Sequence, residues 1–91
     1  MKIVNAYIDI ALPHVVSLKG RRAVLNGIKE RLKRENLSQL DISGEYPKEA
    51  TIAVIALVPD ETKAEQLIQR IESMLERHFP EAEFAISYEV A

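Results

Sequence analysis

The chain has 91 residues, enough for one hydrophobic core and too few for a catalytic domain with a separate substrate domain. At 47% hydrophobic and 29% charged residues it is not disordered by composition, and the lack of cysteine excludes disulfide frameworks, thiolate zinc sites and cysteine nucleophiles. The net charge of −2 is unevenly spread: from Ser17 to Glu35 seven basic residues face two acidic ones, +5, and the remainder holds five against twelve, −7.

Residues Lys2 to Leu12 alternate, with Val4, Ala6, Ile8, Ile10 and Leu12 on one side, as a half-buried strand requires. Pro13 stops it. Ser17 is a candidate N-cap, and Leu18, Val24, Leu25, Ile28 and Leu32 then recur at three- and four-residue spacing, predicting a helix to about Asn36. Gly20 and Gly27 lie inside that helix at a cost of about 1 kcal/mol each relative to Ala. A second strand is expected over Leu37 to Ser43, burying Leu40 and Ile42, followed by a turn over Gly44 to Lys48. The run Ala50 to Val58 is apolar on both faces and reads as an interior strand. Asp60 caps a second helix whose stripe of Ala64, Leu67, Ile68, Ile71, Met74 and Leu75 reaches Phe79, where Pro80 ends it. The last strand, Glu83 to Val90, turns Phe84, Ile86, Tyr88 and Val90 inward.

Two strand-helix-strand halves with right-handed crossovers put both helices on one face of a four-stranded sheet. The predicted fold class is therefore α+β, a single ferredoxin-like βαββαβ sandwich over residues 1–91, with an antiparallel sheet whose first and third strands are central. The other sheet face stays open and presents Asn5, Tyr7 and Asp9 beside Ala53 and Ile55. No apolar run approaches the ~18 residues of a membrane span and no signal-peptide pattern opens the chain, so the expected setting is cytoplasmic.

The run SLKGRRAVLNGIKERLKREN, residues 17–36, resembles the Ser-Leu-Lys-x-(Lys/Arg)-Arg signature and basic first helix of the YlxP-like family of small bacterial proteins, a domain of unknown function. Asn36-Leu37-Ser38 and Ala64-Glu65 fit the same order of elements. The resemblance implies a ferredoxin-like fold, a bacterial cytosolic setting and genomic company with translation factors, and no established activity. Gly20 stands where the family usually has Glu, leaving the capping box of Ser17 incomplete. The acid and tryptophan common in the family's turn are missing between Glu45 and Lys48.

Lys19, Arg22, Asn26, Lys29 and Lys33 fall in one narrow sector of the first helix, along its border with the sheet, and such a row suits phosphates. Lys29 and Lys33 form a like-charged i, i+4 pair, and Glu30 with Arg34 an opposite-charged one. The bland reading is a solvated helix face; the sharper one is docking on RNA or a ribonucleoprotein such as the ribosome. On the open sheet face Tyr7 offers a base-stacking ring, but the neighbouring aliphatic residues and Asp9 suit packing against a second copy, with Tyr7, Ala53 and Ile55 as the interface. Arg21 projects onto the apolar side of its helix, where it either snorkels or forms an anion pocket with His14 and the helix N-terminus. His14 and His78 have no neighbouring ligand pairs, no serine sits in a nucleophile elbow, Glu72 and Glu76 face solvent, and the glycines form no phosphate loop. No enzyme, metal or cofactor is expected. The leading expectation is an RNA-docking, homo-oligomeric binding module; the alternative is a protein-protein module with no nucleic-acid role.

Overall fold

The structure, a computed structural model, describes residues 1–91. Its elements are β1 (Lys2–Ala11), α1 (Leu18–Leu32), β2 (Leu37–Asp41), β3 (Glu49–Val58), α2 (Glu61–His78) and β4 (Glu83–Val90). The strands form one sheet in the order β2-β3-β1-β4, each neighbour antiparallel, so β1 and β3 are central as expected. One face of β1 and β3 supplies Val4, Ile8, Ile52 and Val54 to the core, and the helices close it with Leu25, Ile28, Leu32, Leu67, Ile71 and Leu75. Every fully buried residue is apolar.

Both N-caps form where the sequence places them. Ser17 Oγ accepts the Gly20 N–H at 3.0 Å, and Asp60 Oδ1 accepts the Lys63 N–H at 2.9 Å. The glycine at position 27 admits Phe79, whose ring would stand 3.2 Å from an added Cβ. Helix α1 is shorter than predicted, ending at Leu32 with Lys33 as its C-cap. The Arg34 and Glu35 N–H groups reach back only three residues, to Arg31 and Leu32, and that tighter turn delivers Leu37 into register with Ala56.

Strand β2 is also shorter than predicted, and the expected burial of Leu40 and Ile42 is wrong: both are exposed. Leu37, Gln39 and Asp41 pair with Ala56, Val54 and Ile52, which face the helices, so the pleat sends Leu40 and, beyond the strand, Ile42 to the opposite side. On β4, Tyr88 is expected inward but lies substantially exposed, because this edge strand extends past the cover that α2 provides for Phe84 and Ile86.

Candidate functional site

The basic sector of α1 lies along the border with β2, as its spacing implies, but its charges are not all free. Lys29 Nζ is 3.0 Å from Asp41 Oδ2 on β2, and Lys33 Nζ is 3.0 Å from Glu30 Oε1. Glu30 thus serves Lys33 rather than the expected Arg34. Lys19 and Arg22 remain exposed without an ion-pair partner. Asp41 is fixed from a second direction: its Oδ1 accepts the Ser43 hydroxyl at 2.6 Å and the Ser43 N–H at 3.0 Å. Burial pushes this carboxyl up, but the bonds from Ser43 and then Lys29 outweigh it and hold the pKa at about 2 against an ordinary 3.8.

Arg21 reaches toward backbone carbonyl groups. Its Nη1 lies 2.8 Å from the Gly44 carbonyl oxygen and 3.0 Å from those of Tyr46 and Glu49, binding α1 to the β2-β3 connection. Lys48 answers from that connection, donating to the carbonyls of Pro13 at 2.7 Å and Val15 at 3.0 Å. The two cations thereby clasp the β1-α1 and β2-β3 connections together. Carbonyl oxygens surround Arg21 Nη1, and the exposed His14 side chain is not hydrogen-bonded to it. Lys48 and Asp41 were not legible as structural residues, because their partners are a distant backbone and a strand register.

The open sheet face does gather the residues expected of it. Ile3 pairs with Leu57, Tyr7 with Ala53, and Ala53 with Leu40, while Ile55 sits between Asn5 and Ser38. With Ile42 these form an apolar surface whose large side chains are 37% to 65% exposed. Asn5, Tyr7, Leu40, Ala53 and Ile55 line a shallow depression at its centre. The face has no lysine or arginine; its charges are Asp9, Glu49 and Glu83 at one end and Glu89 on the β4 margin. Asp9 accepts the Thr51 hydroxyl at 2.9 Å. No group of three or more His, Asp or Glu residues is placed to hold a metal ion, and no helix is long and apolar enough to cross a membrane.

Solved structures that resemble this chain include two of designed proteins. The de novo designed protein Foldit4 is 15% identical, with 98% of this chain and 97% of that one covered, at a TM-score of 0.59. The solution NMR structure of the de novo designed protein LFR1 1 with ferredoxin fold is 16% identical, covering 98% of this chain and 86% of that one, also at 0.59. Identities this low show the fold alone, and the fold is ferredoxin-like. No curated protein matches. The family described as "Protein of unknown function (DUF503)" matches over residues 3–88, nearly the full length, so the chain belongs to the DUF503 family.

Proposed function

We propose that this protein is a non-catalytic interaction module that pairs with a second copy of itself through the open face of its sheet. The observation that carries this reading is the continuous apolar surface of Ile3, Tyr7, Leu40, Ile42, Ile55 and Leu57, left uncovered opposite the helices. Strands β1 and β3 run about 33 Å, β4 about 27 Å and β2 about 17 Å, and at about 4.8 Å spacing the face offers about 500 Å² per copy, so a pair buries roughly 1,000 Å², the lower limit of specific interfaces. The acids of the face sit at its margins, away from the apolar centre.

Docking of RNA on the basic sector of α1 has less support. Two of its four cations, Lys29 and Lys33, already have carboxylate partners in the same chain, and a phosphate must displace those partners to bind there. The sheet face, wholly without cations, is a poor surface for a polyanion.

Light scattering tests the pairing. The wild-type protein is expected at about twice the 10.3 kDa chain mass, and Ile55→Glu at the single-chain mass with its circular dichroism unchanged. A wild-type protein that stays at the single-chain mass up to its highest soluble concentration refutes the reading.

A further inference from the structure

Sequence spacing directs attention to the sheet border of α1, where Lys19 and Arg22 are unpaired, yet a larger group of unpaired cations lies elsewhere. The two helices run antiparallel, with Gly27 near Phe79 and Glu35 beside Arg70. Along their outer seam runs a shallow groove lined by Arg31, Arg34, Glu35, Arg70, Arg77 and His78. Four arginines and one carboxylate leave +3 in this groove, on a chain whose total is −2. Glu35 is committed to Arg70, its Oε1 2.9 Å from Nη2 and its Oε2 3.5 Å from Nε. Glu30, the acid one turn before Arg34, is bonded to Lys33. Arg31, Arg34 and Arg77 have no ion pair at all. Their joint field is visible at exposed His78, which is held below its ordinary value by desolvation and then by the charges of Arg31, Arg77 and Arg34.

We propose that this interhelical groove binds the phosphodiester backbone of a nucleic-acid duplex. Guanidinium groups match phosphate oxygens with paired donors, and Gln66, Gln69 and Ser73 add neutral donors along the same stripe of α2. From Gln66 to His78 the stripe is about 18 Å long, the span of about three to four successive phosphates, which stand roughly 6 to 7 Å apart along one duplex strand. The groove is open rather than enclosed, which fits an extended polyanion better than a small phosphorylated molecule. It has no aromatic side chain to stack unpaired bases and, apart from Met74, no apolar anchor for an acidic peptide. Contact is therefore with backbone and independent of base sequence.

The test uses the whole protein and a short fluorescent RNA duplex, followed by anisotropy between about 50 and 200 mM salt. Wild-type binding is expected to weaken steeply with salt. Arg34→Glu with Arg77→Glu, both exposed positions, is expected to weaken it about tenfold or more and to lower the salt slope by about 2. Lys29→Glu with Lys33→Glu on the other side of α1 is expected to change it less than about threefold on the same counterion arithmetic. Duplex addition raises the midpoint of His78 titration followed by NMR, a local signal that binding elsewhere does not produce. Ile55→Glu retains the affinity of each groove, which separates this proposal from the pairing of sheet faces. The groove proposal is overturned if the wild-type protein fails to bind at the lowest salt, if the arginine variant binds as well as wild type, if the midpoint stays put, or if polyglutamate competes as well as RNA does.

Discussion

Asp41 shows how one residue joins three segments of the chain: it ends β2, anchors Lys29 of α1 and orders Ser43. Its carboxyl is more acidic in the folded chain than in the unfolded one, so its contribution to stability is present above about pH 3.8 and is lost as the pH falls through about 2. Denaturant titrations across that window are expected to show a loss of stability that is smaller in Asp41→Asn. Arg21 acts on a wider scale. Removing its contacts with three carbonyl groups in Arg21→Ala is expected to cost about 1 to 2 kcal/mol in urea unfolding, the range for charged hydrogen bonds at a partly exposed site. Spacing alone put Arg21 on the apolar side of the helix but could not say what it met there. The three carbonyls lie 23 to 28 residues away, in a connection without periodicity.

At the scale of elements, both helices and β1 were legible because each carries a long apolar pattern of one period, and β3 because its unbroken apolar run is too short for a buried helix. Strand β2 was not. Over five residues Leu37 and Leu40 offer conflicting faces, and the choice is made by β3, whose buried Val54 and Ala56 draw Gln39 and Leu37 to the helix side. The start of α1 offers a test of local chemistry. Gly20 has no positive φ to require glycine, and an added Cβ there would meet only Ser17 Oγ at 3.3 Å and Val15 Cγ1 at 3.5 Å. Gly20→Glu supplies the N3 partner of the Ser17 cap together with a better helix former, and is expected to raise stability by about 1 kcal/mol, read as a higher melting temperature.

For the whole molecule, the sequence revealed that positive charge was concentrated, but not which part of it was free. Lys29 and Lys33 found acids that the fold brought near, whereas Arg31 and Arg34 met Arg77 and His78 from the far end of the other helix. No linear pattern joins residues 31 and 77. The sheet face and the interhelical groove lie on opposite sides of a two-layer sandwich, one apolar with an acidic margin and the other cationic. In the proposed pair the two grooves consequently point outward from opposite poles. Such an assembly is bivalent: it can grip two stretches of polyanion at once, and its hold on a folded or looped strand exceeds that of either groove alone through effective concentration rather than through any new contact.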